Sequence, residues 1–204
     1  MTKYFSGGFD LRFRAELLPE DPRLADQFLV PENRNRITAD GLVWPSPEEV
    51  DDFLMSQPIS HPLGLSNNLH VFLPALREHG IATVNLTPVC LTLSETTVRT
   101  LCNQGWAFHF KHAPCEEDLL GLGWRFLGFD TAELNGLCSG LKGIGYNERS
   151  RSQLRPQFGD ALNDVGLFSD AVIASQFAEI RGKQIPSHAP FEVVGILVHD
   201  LLRE

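Results

Sequence analysis

The sequence lacks several features that would place it in a familiar class of protein. No apolar run approaches the roughly 20 residues that a helix needs to cross a membrane. The first residues carry Asp10, Arg12, Arg14 and Glu16 where a signal peptide has an unbroken apolar core. We therefore expect a cytoplasmic protein without a membrane partner.

The cysteines are few, and their spacing does not suit a metal site. Neighbouring cysteines are 12, 13 and 23 positions apart, so none forms the CxxC pair that begins many zinc sites. In a reducing compartment the cysteines stay thiols, and we expect them to serve as small core or surface residues. We expect the protein to bind no metal or other cofactor. The chain has Cys90, Cys102, Cys115 and Cys138.

Positive charge is also scarce. The chain has 17 Lys and Arg residues against 26 Asp and Glu residues, which gives a formal net charge of −9 at pH 7. Such a balance repels phosphate backbones and anionic lipids, and it attracts basic proteins. The charge therefore disfavours a nucleic-acid partner and favours a basic protein partner.

The glycine-rich stretches do not match a phosphate-binding loop. GLGWRFLGFD and GLKGIG fit neither G-x-G-x-x-G after a strand nor G-x-x-x-x-G-K-[ST]. Residues 141–154, LKGIGYNERSRSQL, imitate a helix-hairpin-helix DNA-binding motif more closely, with Arg149, Arg151 and Arg155 after the glycine turn. One arginine-rich segment does not offset a net charge of −9, so the sequence predicts an exposed loop over residues 147–157.

His109, His112 and Cys115 suggest a catalytic or metal site, since a thiolate needs a nearby base and metals favour these ligands. The segment WAFHFKH alternates aromatic residues with small or polar ones, which predicts a half-buried strand over residues 106–112. On such a strand His109 and His112 lie on opposite faces. We therefore expect no catalytic or metal-binding residues here.

Two groups of carboxylates are the candidate partner-binding residues. The first follows a helix-start signal, Ser46-Pro47-Glu48-Glu49, in which the serine and a glutamate can bond free amides at the start of a helix. Neither group has the spacing of a calcium loop, so each is a solvated face or an acidic patch that meets a basic partner. The groups are Glu48, Glu49, Asp51 and Asp52, and Glu116, Glu117 and Asp118.

The order of the expected elements favours an α+β domain with a mixed sheet packed by several short helices. Helices are expected over residues 47–56, over 67–79 with Pro74 inside, from Ser94 to about 103, and from Ser169 to Gly182. Strands are expected in FDLRFRAEL at a sheet edge, over residues 81–93 and 122–129, and in FEVVGILVHDLL, which is apolar on both faces and therefore central. We expect one domain over residues 1–204, with residues 1–45 as a wrapping amino-terminal arm and no internal repeat.

Part of the carboxy-terminal half resembles a family. The strings GFDTAELNGLCSGL, GIGY, ALNDVGLF and IPSHAPFEVVGIL are similar to segments of small bacterial immunity proteins from polymorphic-toxin and contact-dependent growth inhibition systems. The resemblance covers residues from about 124 to 199. Thr131 stands where a valine is expected, and GLKGIGY replaces a turn that contains asparagine. The resemblance implies a protein that binds and blocks a cognate toxin domain without catalysis.

Two classes of function follow from the sequence. One is a non-catalytic binding protein, an immunity protein that neutralises a basic toxin domain. The other is a small cytoplasmic enzyme or nucleotide-binding domain whose site is assembled from residues distant in the sequence. Gene context separates them, because a toxin gene immediately upstream supports the first and an operon of metabolic genes supports the second.

Overall fold

The computed structural model describes residues 2–13, 29, 37–40, 46–56, 65–66, 69–83, 85–134, 137–141 and 148–199. Within these ranges the strands are β1 (Tyr4–Phe13), β2 (Leu86–Ser94), β3 (Arg125–Glu133), β4 (Cys138–Ser139) and β5 (Phe191–Val198). They form one antiparallel sheet in the order β1-β2-β5-β3-β4, which confirms the α+β class.

The strands predicted near the two ends of the chain are present among the described residues: alternating FDLRFRAEL overlaps β1 over residues 9–13, and apolar FEVVGILVHDLL contains β5. β1 lies at one end of the sheet, and β5 lies in its middle. The central position explains the composition of β5, because both of its faces are covered: the adjacent residues Ile196 and Leu197, which point to opposite faces, are fully buried. Pro88 lies within β2, opposite Leu11 of β1.

The helices are α1 (Glu48–Ser56), α2 (Leu69–Glu78), α3 (Glu95–Leu101), α4 (Ala107–Phe110), α5 (Glu116–Gly121), α6 (Glu148–Phe158) and α7 (Ala171–Gln184). The helices predicted near residues 47–56, 67–79, 94–103 and 169–182 correspond to α1, α2, α3 and α7. Ser94 caps α3 by accepting a hydrogen bond from the Thr97 amide at 3.1 Å. Asp170, not Ser169, caps α7.

The strand predicted over residues 106–112 is wrong, because this segment is helical. A π-helical turn, Cys102–Trp106, connects α3 to α4, and Gly105 within it has φ = 102°. Trp106 and Phe110 are also four positions apart, a spacing that suits a helix as well as the alternation suits a strand. His109 and Phe110 are adjacent in the chain, and both are buried.

The exposed loop predicted over residues 147–157 is also wrong. The segment forms α6, whose Leu154 and Phe158 are buried at a helical spacing of four. The Phe158 ring lies 5.2 Å from that of Phe177 and 6.2 Å from that of Phe168. These two apolar residues pack the helix into the protein interior, although most of its sequence is polar and basic.

The chain divides into two compact units. Unit 1 contains Met1–Arg14, Pro45–Phe126 and Gly195–Glu204, and unit 2 contains Ala15–Trp44 and Leu127–Val194. The expected single domain stays a prediction. Of the expected arm over residues 1–45, β1 is a strand paired with β2, and most of the remainder lies outside the described residues.

One apolar cluster occupies the interior of unit 1. Its members come from β1, β2, α1, α2, α5 and β5, together with Trp124, which follows α5. Its buried members are Phe9, Leu11, Val50, Leu54, Leu69, Phe72, Leu76, Leu86, Cys90, Leu119, Trp124 and Leu197.

The same backbone bridge, from a strand of the sheet to a segment just before a helix, occurs in both units. In unit 1, Phe9 of β1 exchanges two backbone hydrogen bonds with Ser66, at 2.7 and 2.8 Å, three residues before α2 begins. In unit 2, Phe129 of β3 exchanges two with Phe168, at 2.8 and 2.9 Å, three residues before α7 begins. Each phenylalanine stands in a Gly-Phe-Asp segment, so the sheet strand, the bridge and the following helix are repeated although the sequence suggests no repeat.

Candidate partner-binding surface

The start of α1 is built differently from the sequence expectation. The carbonyl oxygen of Pro47 accepts the amides of Val50 and Asp51, at 2.9 and 3.1 Å. The Ser46 hydroxyl lies 2.9 Å from each carboxylate oxygen of Asp10 in β1. Ser46 therefore joins the start of α1 to the sheet.

The outer face of α1 is acidic and ends in an apolar side chain. Val50 and Leu54 are buried, whereas all four carboxylates of the first predicted group, Glu48, Glu49, Asp51 and Asp52, are exposed. Met55 follows Asp52 by three positions, so both lie on the same side of the helix, and Met55 is 73% exposed. This face can meet a partner without any change in the interior of unit 1.

Asp51 differs from the other carboxylates of α1. Partial burial raises its pKa, and the negative charge of Asp10 raises it further, while a hydrogen bond from Ser46 lowers it. Asp10 itself is buried, and the Arg12 Nε atom donates to its carboxylate at 2.7 Å. Asp51 thus belongs partly to a polar contact with β1.

Helix α5 begins with a side-chain cap. The backbone amide of Cys115 donates to the Asp118 carboxylate at 3.3 Å, and the Cys115 thiol donates to the same oxygen at 3.0 Å. These hydrogen bonds satisfy groups at the helix start that would otherwise lack partners. Leu119 is the buried residue of this helix.

Glu116 faces inward, unlike its two neighbours. The Thr92 hydroxyl of β2 donates to its carboxylate at 3.3 Å, and Glu116 is half-buried. Burial raises the pKa of Glu116, and the negative charge of Glu117 adds to the rise. Gly195 leaves the space for this pair, because a side chain there would collide with the Thr92 hydroxyl.

Glu117 and Asp118 are exposed and remain strongly acidic. A hydrogen bond to its own backbone amide lowers the pKa of Glu117, and hydrogen bonds from Cys115 lower the pKa of Asp118. Both carboxylates are therefore charged at neutral pH. Of the second predicted group, these two are exposed, whereas Glu116 is half-buried.

His109, His112 and Cys115 differ in exposure: His109 is buried, His112 is exposed and Cys115 is half-buried. His109 is buried, burial lowers its pKa, and its ring lies 5.6 Å from Trp106 and 5.8 Å from Phe108. Cys115 caps α5. Within the described ranges, no group of three or more His, Cys, Asp or Glu residues could hold a metal ion.

The structure also gathers polar residues that are distant in the sequence. Ser6 of β1 contacts the thiol of Cys90 of β2 at 3.4 Å, and both are buried. Burial raises the pKa of Cys90 to about 12, and Glu116 adds to the rise. The pKa of Tyr4 is raised by burial and then by Glu116. A thiol that stays protonated is a weak nucleophile, so the surroundings of Cys90 do not favour nucleophilic chemistry.

Unit 2 has a buried carboxylate of its own. Asp130 of β3 accepts hydrogen bonds from the Ala39 amide at 2.8 Å, the Thr131 amide at 2.6 Å and the Ser139 hydroxyl at 2.9 Å. Burial raises its pKa to about 7, and the charge of Asp40 adds to the rise. Asp130 thereby ties residues 37–40 and β4 to β3.

Part of the segment that resembles a helix-hairpin-helix motif lies outside the residues that the structure describes. The glycine turn of the helix-hairpin-helix resemblance, at residues 142–147, lies outside the described residues. Among the helices that are described, none is long and apolar enough to cross a membrane.

Comparison of the chain with protein-family models, curated proteins and solved structures finds no match.

Proposed function

We propose that the protein is a non-catalytic binding protein, an immunity protein that neutralises a basic toxin domain. The observation that carries the proposal is the exposure of carboxylates on two ordered helices of unit 1, on α1 and on α5. They are Glu48, Glu49 and Asp52, and Glu117 and Asp118. The resemblance of residues 124–199 to immunity proteins supports the same function.

Charge complementarity gives these carboxylates a physical role. Exposed charges act over about one Debye length before contact, so they raise the rate at which an oppositely charged partner associates. They also disfavour acidic partners and nucleic acids, in keeping with a net charge of −9. A toxin domain with a basic surface is the partner that this charge distribution would attract.

The test uses the purified carboxy-terminal domain of the polypeptide whose gene lies directly upstream of this one. A first variant carries Glu48→Gln, Glu49→Gln and Asp52→Asn, and a second carries Glu117→Gln and Asp118→Asn. We expect the association rate of each to fall roughly tenfold at low salt and much less at high salt, with unchanged dissociation rates. Asp51 is left intact because it contacts Ser46, and asparagine at position 118 keeps an oxygen that can accept the hydrogen bonds from Cys115.

A matched control separates local steering from net charge. Asp160, Asp164 and Glu179 are exposed carboxylates of unit 2, and their amide variants change the net charge by the same amount as the α1 variant. We expect a much smaller fall in association rate for this control. An equal fall would contradict a binding role for α1 and α5. Absence of binding by the unmodified protein, together with failure to protect cells that express the upstream domain, would contradict the proposed function.

A further inference from the structure

Helix α5 ends in two exposed leucines. Leu120 is 44% exposed and Leu122 is 65% exposed, whereas Leu119 between the carboxylates and the leucines is buried. The exposed carboxylates Glu117 and Asp118 lie within the same short segment. The exposed residues Glu117, Asp118, Leu120 and Leu122 together are called the α5 tip.

The backbone of the α5 tip is fixed by the way the helix ends. The Gly123 amide donates to the Leu120 carbonyl at 3.1 Å, and the Trp124 amide donates to the Leu119 carbonyl at 3.1 Å. These two bonds form a Schellman motif, in which Gly123 has φ = 88°, a conformation that glycine adopts readily. The motif reverses the chain so that Trp124 turns inward and Leu122 stays outside.

Trp124 anchors this turn in the interior of unit 1. It is 7% exposed, and its ring lies 5.4 Å from Phe9 and 5.3 Å from His199. The Nε2 atom of His199 lies 3.1 Å from the Leu122 carbonyl oxygen, a hydrogen bond in which the ring nitrogen donates. Leu122 is therefore held at its backbone on both sides while its side chain remains in water.

A rigid exposed leucine is favourable for binding. Ordering a flexible segment on association has an entropic cost, which a segment fixed by caps at both ends has already met during folding. Apolar side chains surrounded by charged ones also match the usual anatomy of an interface, an apolar centre within a polar rim. Unit 1 leaves the α5 tip exposed although burying its leucines would be favourable.

The charge of the α5 tip indicates what covers it. A second copy of the chain carries the same net charge of −9, and an anionic lipid surface is also negative, so both would repel Glu117 and Asp118 even though Lys3 lies near these carboxylates. A basic protein would instead pair with both carboxylates. We propose, on the basis of the proposed function, that Leu120 and Leu122 enter an apolar pocket of the basic toxin domain, with Glu117 and Asp118 contacting Lys or Arg at the rim of that pocket.

The test compares Leu120→Ala/Leu122→Ala with Val172→Ala, using the same upstream-encoded domain as the probe. Val172 in α7 of unit 2 is also 65% exposed, so it matches Leu122 in exposure. We expect the leucine variant to dissociate more than about tenfold faster with a nearly unchanged association rate, because apolar anchors govern dissociation. The valine variant should behave as the unmodified protein. Thermal unfolding of each variant verifies that the fold is kept.

The outcomes separate this inference from the proposed function. Binding by the unmodified protein with unchanged dissociation of the leucine variant would overturn the inference and leave the proposed function standing. Equal effects of the leucine and valine variants would overturn it as well. Concentration-dependent self-association in sedimentation experiments, abolished by the leucine variant, would show that a second copy covers the α5 tip. Failure of the unmodified protein to bind would contradict the proposed function, and this inference would fall with it.

Discussion

The two Gly-Phe-Asp segments share one backbone arrangement, but their buried aspartate carboxylates are stabilised in different ways. Gly8 and Gly128 have φ values of 136° and 146°, and each precedes a phenylalanine that bridges to another segment. Both aspartates accept the amide of the next residue, Asp10 at 2.7 Å and Asp130 at 2.6 Å. The backbone geometry is therefore the shared feature of the two units.

The difference lies in what neutralises the carboxylate. Asp10 is paired with the buried guanidinium of Arg12, two residues along the same strand. The groups that donate to Asp130 are uncharged, and burial raises its pKa to about 7. A buried carboxylate is thus kept by a cation in unit 1 and by a shift toward the neutral form in unit 2.

Removing the cation from unit 1 should have the largest effect. Arg12→Met keeps most of the side-chain volume but leaves the buried Asp10 carboxylate with uncharged donors and no cation, which costs about 3–5 kcal/mol. Arg181 in unit 2 is equally buried, and its Nε and Nη1 atoms donate to the Gly140 carbonyl and the Gln184 side chain. Arg181→Met should therefore cost less, about 1–3 kcal/mol. Urea unfolding measures both, and a reversed order would contradict the assigned role of Arg12.

A change of pH should affect unit 2 through Asp130. Its pKa is raised in the folded protein, so its contribution to stability is present at low pH and is lost as the pH rises through about 7. The free energy of unfolding should fall by at most about 4 kcal/mol from this group between roughly pH 4 and pH 8. Asp130→Asn should remove this fall, and the exposed control Asp164→Asn should retain it. Equal pH dependence of the unmodified protein and Asp130→Asn would refute the assignment.

The shared glycines should respond alike. A Cβ atom at Gly8 would lie 2.6 Å from the Leu65 Cβ, and one at Gly128 would lie 2.8 Å from the Leu167 Cβ. Each alanine variant combines this collision with an unfavourable positive φ, and we expect a loss of about 2–3 kcal/mol at either position. Gly121→Ala in α5, which meets no atoms within 4 Å, should be neutral or stabilising. A large loss at only one of the two positions would show that the two segments are not equivalent.

Local signals predicted much of the fold. Ser94 preceding a run of helix-forming residues marked the start of α3, and the apolar run of residues 191–198 marked a central strand. Such features depend on a few adjacent residues, so a single sequence contains them. The alternation at residues 106–112 failed because the same aromatic spacing also fits a helix, and here the continuation of α3 through a π-helical turn decides between them.

Features that depend on long-range contacts were not predictable. The inward orientation of Glu116 is set by Thr92, and the exposure of Leu122 is set by the turn that buries Trp124. The repeated backbone bridge was missed because the two units share only the short Gly-Phe-Asp string, while the bridging residues Ser66 and Phe168 differ in type. The binding role of the acidic residues and the resemblance to immunity proteins stay predictions.

The bridge between Phe9 and Ser66 has a further consequence for recognition. β1 ends the sheet, and a strand in that position offers unpaired amides to which another chain can add a strand. Here the Phe9 amide is bonded to the Ser66 carbonyl at 2.7 Å, and the Ser6 amide is bonded to the Pro114 carbonyl at 2.8 Å. Short segments of the protein itself thus cap this part of the edge against strand addition and edge-to-edge aggregation. A partner that approaches there meets side chains instead of free backbone groups.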